Sequence, residues 1–347
     1  MGFWQEQPPL TRGRLLSVFG TLLSTLDTPV LKLLRFRMPE TDPLLGLTIA
    51  IYRFSAGSVV SACFSLFTEG GVAGLKAQLN ALGRRDCAYA TFLQSIMNLA
   101  FTVSAALTSA ANVLVALALA PLLTAIIGRF TRDVRLPTHT WLACASGAVA
   151  IILCFAGSVQ VSGLNALGLV ISLIVPLAYG FLLTLSETRG EACNVSTLMS
   201  PACACNVIIA ITVLGSRRLP LAVPVDNKVL LMCMWNGGCN AIAQQIMAMG
   251  GRTCPAPEAA LISLLETALG PWVVYTVAGE RPTGQTIAAA VLIVLVLACH
   301  TVYDVRVRQQ EASRCSTEEE ELTMELVPHA QQTRSTDGDA EVQRPLD

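Results

Sequence analysis

The run "LISLLETALGPWVVYTVAGE", residues 261–280, carries one carboxylate near its middle, Glu266, among apolar neighbours. An ionised carboxylate at the centre of a membrane helix costs about 2.5–3.5 kcal/mol on insertion scales, so it must face water, pair with a cation or bind a proton. A second polar signal accompanies it. Asn236, Asn240 and Gln244 recur every fourth residue, and Gln94, Asn98 and Thr102 do the same further up the chain. That spacing puts each trio on a single helix face. The chemistry on offer is hydrogen bonding to a polar solute in a wet hollow, or the bland alternative of amides bonding between helices, at about 0.6 kcal/mol per bond.

Three further charges fall within apolar runs: Asp27, Lys32 and Arg53. They are read as a coupling set or a structural ion pair, with Arg53 or Lys32 open as the partner of Glu266. Asp27 lies just before "TPV", so it either serves the site or satisfies backbone groups freed by Pro29. His300 is read as a packed or snorkelling residue near an interface. Pro121, Pro176, Pro201 and Pro271 interrupt apolar runs and can bend the helices that hold these groups.

The elements that must position them follow from composition. The chain has 347 residues, 53% hydrophobic and 14% charged, with a mean hydropathy of +0.58. Soluble domains carry about 25% charged residues, so an integral membrane protein is expected. Net charge is −1, split between a basic body and an acidic end: from Asp304 onward there are 11 acidic and 5 basic residues. Residues 304–347 are therefore read as a disordered, solvated cytoplasmic tail. The 12 cysteines are scattered through apolar runs and "CAC" at 203–205 lacks zinc-site spacing, so neither a disulfide framework nor a metal is expected. No cleavable leader is expected in "MGFWQEQPPLTRGR".

About 20 apolar residues cross a bilayer. Ten runs qualify: 15–34, 44–66, 88–107, 109–128, 139–157, 164–186, 198–215, 229–249, 257–278 and 283–303. With a cytoplasmic N-terminus, twelve Lys and Arg flank the inner ends and six the outer ends, which orients both termini inside. Which membrane this is cannot be read. In "GERP" at 279–282, Gly279 is expected to end one helix in a left-handed conformation, and Pro282 to open the next.

The polar stripes also align with each other. Asn98 falls on Asn240 at an offset of 142, bringing Gln94 onto Asn236 and Thr102 onto Gln244. Further on the offset becomes 145, and Pro121 meets Glu266. Two halves of five helices result, and an odd number inverts the second half, a construction usual in secondary transporters. The expected fold is thus an all-α integral membrane protein, ten transmembrane helices in two inverted five-helix repeats around a central cavity. Its parts are residues 1–14 (cytoplasmic), 15–157 (first repeat), 158–303 (second repeat) and the tail.

The segments "MNLAFTVSAALTSAANVLVALALAPLLTAIIG" and "PEAALISLLETALGPWVVYTVAGERPTGQTIAAAVLIVLVL" resemble the two diagnostic segments of the drug/metabolite transporter superfamily, EamA type. "AIYRFSAG", with Arg53, is similar to that family's second helix. The resemblance implies ten helices around a central site and transport of small metabolites, amino acids, nucleobases or drugs, often coupled to an ion or counter-substrate. The two stripes and the midplane carboxylate are expected to line that site, which gives Gln94, Asn98, Thr102, Asn236, Asn240, Gln244 and Glu266 as substrate-binding residues. The chain departs from the family at Glu266-Thr267, where the family has Glu-Pro; its proline comes at Pro271.

Three function classes are weighed. The first is a multi-pass secondary transporter of a small metabolite working by alternating access. An enzyme is disfavoured: there is no HExxH, no phosphate loop, and the three histidines sit near or outside span ends. The third is a non-transporting receptor, scaffold or scramblase on a transporter-like fold. The partners expected are a small-molecule substrate, neutral or zwitterionic since no basic cluster lies at depth, and membrane lipid. No nucleic acid or cofactor is expected, and homodimerisation is left open.

Overall fold

The computed structural model describes residues 9–37, 45–132, 163–189, 195–216, 226–254 and 256–279, with isolated positions between 138 and 149 and between 281 and 307. Apart from those isolated positions, the predicted spans 139–157 and 283–303 and the acidic tail lie outside the described residues. The chain divides into Met1–Leu297 and Ala298–Asp347, and all the helices below belong to the first unit.

Eleven α-helices are described: α1 (Pro9–Ser24), α2 (Asp27–Arg37), α3 (Leu45–Thr68), α4 (Val72–Leu107), α5 (Ala110–Leu117), α6 (Ala120–Arg132), α7 (Gly163–Ser172), α8 (Ile174–Arg189), α9 (Met199–Ser216), α10 (Asn227–Gly250) and α11 (Ala256–Ala278). One 3-10 turn, Val195–Leu198, leads into α9. No described residue lies in a strand.

Six stretches are long and apolar enough to cross a membrane: Gly46–Thr68, Val72–Leu107, Asn112–Thr131, Leu167–Arg189, Ser196–Ser216 and Glu258–Val277. The surface agrees. Phe67, Phe92, Phe130, Ile208, Trp235 and Trp272 are exposed, whereas Lys32, Arg53, Asn206, Gln245 and Glu266 are buried. A molecule with apolar groups outside and charges inside is built for lipid. α10 is as long as these spans, but Asn236, Asn240, Gln244 and Gln245 make it more polar than they are.

Where a predicted span is interrupted, a proline explains the break. The run 15–34 is two helices, broken at Thr25–Leu26; 109–128 breaks at Ala118–Leu119; and 164–186 breaks at Leu173. Pro29, Pro121 and Pro176 then sit in the first turn of α2, α6 and α8. Proline has no N–H to donate and its ring collides with the carbonyl four residues earlier, so it is accepted only in a first turn. Pro201 likewise sits in the first turn of α9. Pro271 is the exception, since α11 continues helical through it to Ala278.

Caps fix other ends. Ser109 accepts a hydrogen bond from the Asn112 amide at the start of α5, and Asp226 one from the Lys228 amide at the start of α10. Gly279 follows α11 with φ 70°, its amide donating to the Tyr275 carbonyl at 3.0 Å; this is the left-handed stop expected of it. Gly83, with φ 79°, interrupts α4 and separates a polar first part from the membrane-length remainder.

α10 occupies the middle of the bundle, against α1, α2 and α3. Small residues let it get there. A Cβ on Gly237 would overlap the Arg53 carbonyl, and one on Gly250 would lie 2.7 Å from the Gly13 carbonyl. α4 packs on α3, α7, α8 and α9, and α11 packs on α1, α2, α5, α6 and α8.

Candidate binding site

The site is assembled around the break between α1 and α2. Because Pro29 ends the helix ladder early, Asp27 opens α2 and its carboxylate turns into the bundle, where it is 5% exposed. Arg53 of α3 donates through Nη2 to Asp27 Oδ2 at 2.6 Å, and both side chains are almost fully buried. Asn236 of α10 donates through Nδ2 to Asp27 Oδ1 at 2.7 Å and to the Asp27 carbonyl at 3.2 Å. The Arg53 guanidinium also lies over the rings of Phe54 and Phe101, 5.5 and 5.9 Å from their centroids, a placement that offsets part of the cost of burying it. Arg53 Nε and Nη1 and Asn236 Oδ1 are buried without a hydrogen-bond partner.

Two partners considered for Glu266 are thereby accounted for differently. Arg53 pairs with Asp27, and Lys32 donates through Nζ to the Thr108 carbonyl, the C-cap of α4, at 2.5 Å. Glu266 is buried on α11, and Ser24 from the end of α1 lines the same hollow. The next residue, Thr267, donates to the Leu114 carbonyl at 3.0 Å and ties α11 to α5.

Glu266 and Asp27 line one hollow, shared with Ser24, Asn98, Asn240 and Gln244. Met97, Phe101, Leu117, Val175, Tyr179, Met247 and Ser263 complete its wall. These residues come from α1, α2, α4, α5, α8, α10 and α11, so helices far apart in sequence converge on it. The cavity measures ≈ 30 Å³, room for about two waters. In this conformation it is water-sized, and a metabolite fits only if the helices part.

The two polar stripes do different work. From the first, Asn98 lines the hollow and donates to Met199 Sδ at 3.4 Å. Thr102 folds back onto the Asn98 carbonyl at 2.9 Å, and Gln94 is half-buried outside the hollow with Nε2 unpartnered. From the second, Asn240 and Gln244 line the hollow while Asn236 holds Asp27. Sequence spacing missed Gln245, which is buried on the adjacent face and bonds Ser61 and Ser65 of α3. It also missed Asn206, which accepts from Ser95 at 2.5 Å, and Ser24, Tyr179 and Ser263. Hydroxyls in apolar helices are common, so only their convergence in space distinguishes these.

At one end of the bundle a chain of polar contacts joins four helices. Arg14 Nε of α1 meets Glu258 Oε1 of α11 at 2.5 Å. The Ala256 amide at the start of α11 donates to Glu187 of α8 at 3.1 Å, and Arg189 of α8 pairs with Asp86 of α4. Among the described residues no group of three His, Cys, Asp or Glu is placed to hold a metal.

The fold and this buried polar hollow define a multi-pass helical membrane protein. No protein-family model and no curated protein matches the sequence. Solved structures do match in fold. One, described only as "Crystal structure of protein", is 16% identical with a TM-score of 0.59, and the match covers 84% of this chain and 98% of that one. At that identity the likeness speaks to fold alone.

Proposed function

We propose that this protein is a secondary transporter that moves a small polar metabolite by alternating access, its substrate binding between two inverted five-helix halves of the drug/metabolite transporter type. The observation that carries this reading is the buried hollow. Asn98 from the first half and Asn240, Gln244 and Glu266 from the second line one cavity, with Asp27 across from them. Polar groups are retained at this depth when they serve a pathway.

The helix neighbours support the repeat. The offset that pairs Asn98 with Asn240 lays the second part of α4 on α10, and by order in the two halves α3 corresponds to α9; α10 packs on α3 and α4 on α9, while α3 and α9 pack on each other. The breaks before Pro29 and Pro176 fall in the first and sixth spans, corresponding members of the two halves. Broken helices near the midplane are a recurrent feature of transporter sites. The loop charges support a cytoplasmic position for both termini.

The test is transport by the purified protein in liposomes loaded with candidate amino acids, nucleobases or other small metabolites, with and without a pH gradient. Exchange or uptake is expected in the wild type, and Glu266→Gln is expected to change its rate or its dependence on pH. Unchanged transport and pH dependence in a folded Glu266→Gln variant would remove Glu266 from the mechanism. Absence of any flux, together with lipid flipping, would favour a scramblase on the same fold.

A further inference from the structure

We infer that the central hollow binds a sodium ion, held by Glu266 together with the side-chain oxygens of Asn98, Asn240 and Gln244. Glu266 is 4% exposed and forms no ion pair with any described residue. Asp27 borders the same space, but its charge is matched by Arg53 at 2.6 Å. Among the described residues no lysine or arginine lines the hollow, so the Glu266 carboxylate is left there without a counter-charge. A buried carboxylate in a membrane must meet water, a cation or a proton. A proton would neutralise Glu266 and do nothing for its neighbours. Asn240, itself 4% exposed, and Gln244 both line the hollow and have no hydrogen-bond partner among the described residues. Asn98 commits its Nδ2 to Met199 Sδ, which leaves its Oδ1 as an acceptor. A cation engages all of these oxygens at once.

The helix ends, the size and the charge of the hollow select a monovalent metal ion. α1 stops at Ser24, which borders the hollow, and a helix C-terminus carries partial negative charge. The positive end presented by α2 already has an acid in its own first turn, Asp27. C-terminal ends of broken helices are a recurrent place for coordinating a sodium ion in membrane proteins. The hollow measures ≈ 30 Å³, too small for a metabolite but enough for a bare ion and one water. A single uncompensated carboxylate balances one positive charge, and a divalent ion would leave an excess. Among the described residues no group of three His, Cys, Asp or Glu side chains gathers to hold such an ion. Amide oxygens and a carboxylate are the hard donors that an alkali cation takes.

The inference rests on reading the hollow as the central site of a transporter, but binding and flux are measured separately. The experiment uses the purified full chain in detergent with radioactive sodium, read by scintillation proximity at constant ionic strength in choline buffer. Saturable binding of one ion per chain is expected. Glu266→Gln is expected to weaken it about a hundredfold and Asn240→Leu about tenfold. Asn227→Ala, at the exposed start of α10, is expected to bind as the wild type does. No saturable binding in the wild type, or undiminished binding in either Glu266→Gln or Asn240→Leu, overturns the site. Asn240→Leu carries the test should Glu266→Gln fail to fold. Calcium competing as well as sodium itself overturns the monovalent assignment, and methylammonium doing so overturns the metal in favour of an amine. In liposomes, solute flux by a protein that binds no sodium overturns this inference alone. Sodium binding without flux of any solute overturns the transporter reading alone.

Discussion

Ser58 and Ser200 hydrogen-bond each other reciprocally. The Ser58 hydroxyl reaches the Ser200 carbonyl at 3.1 Å, the Ser200 hydroxyl reaches the Ser58 carbonyl at 3.0 Å, and they stand 142 residues apart. That separation equals the offset relating Asn98 to Asn240. The two bonds tie the second half of α3 to the first turn of α9.

Two bonds of like chemistry and length should respond alike. Ser58→Ala and Ser200→Ala are each expected to lower stability by a similar amount, about 0.6 kcal/mol per bond removed. The double variant should lose slightly less than the sum, because the two hydroxyls also lie 3.4 Å apart, a contact that either substitution removes. Unfolding in mixed micelles measures all three. A large effect at one serine and none at the other would show that the contact is not a symmetric one.

The ion pair of Asp27 and Arg53 makes a stronger prediction. Both groups are buried, and Asn236 supplies the second carboxylate oxygen with its donor. Removing one partner leaves a charge buried without compensation, at a cost of about 3–5 kcal/mol. Asp27→Leu and Arg53→Met are each expected to lower the unfolding midpoint sharply, while the double substitution recovers much of the loss. If the double variant were as unstable as the two singles combined, the charges would not be acting as a pair.

What could be read from the sequence, and what could not, divides along a physical line. Helices announce themselves because a bilayer demands long apolar runs, and the run 44–66 emerges as the single helix α3, Leu45–Thr68. Breaks are harder. Pro29, Pro121 and Pro176 end helices whereas Pro271 does not, and nothing in the local sequence separates the two cases. Pairings are harder still. Glu266 had Arg53 and Lys32 in view as partners, but Arg53 meets Asp27, 26 residues earlier, because the α1–α2 break turns that carboxylate inward. Gln245 escaped because a four-residue stripe selects one face of α10, and the adjacent face turned out to be polar as well, stitched to Ser61 and Ser65.

Glycine contacts give a paired test of the packing. Gly237→Ala would drive a methyl group into the Arg53 carbonyl, forcing α3 and α10 apart at the residue that holds Asp27. Its expected cost is about 1–3 kcal/mol, typical of overpacking, with loss of the native ion pair. Gly215→Ala, near the end of α9, meets nothing within 4 Å and should be neutral or stabilising by up to about 1 kcal/mol, as helix propensity favours alanine. Thermal unfolding of the two variants side by side checks this. Equal tolerance at both positions would show that α10 is not seated as described.

The contacts Arg14–Glu258 and Arg189–Asp86 join α1 to α11 and α8 to α4 at one end of the bundle. If the halves rock, that end must open, and these pairs must break when it does. Exposed pairs contribute about 0.2–1 kcal/mol each, so removing both should raise the open population about two- to thirtyfold. Cys254 provides the reporter: it lies at this end, between Gly250 and Ala256, and is 1% exposed. Maleimide labelling of Cys254, followed by peptide mass spectrometry, is expected to be slow in the wild type. It should be faster by that factor in a Glu258→Gln, Asp86→Asn variant, while Cys203, buried between α3 and α9, stays protected in both. Raised labelling at both cysteines would mean general loosening, and unchanged labelling at Cys254 would mean that these ion pairs do not hold this end shut.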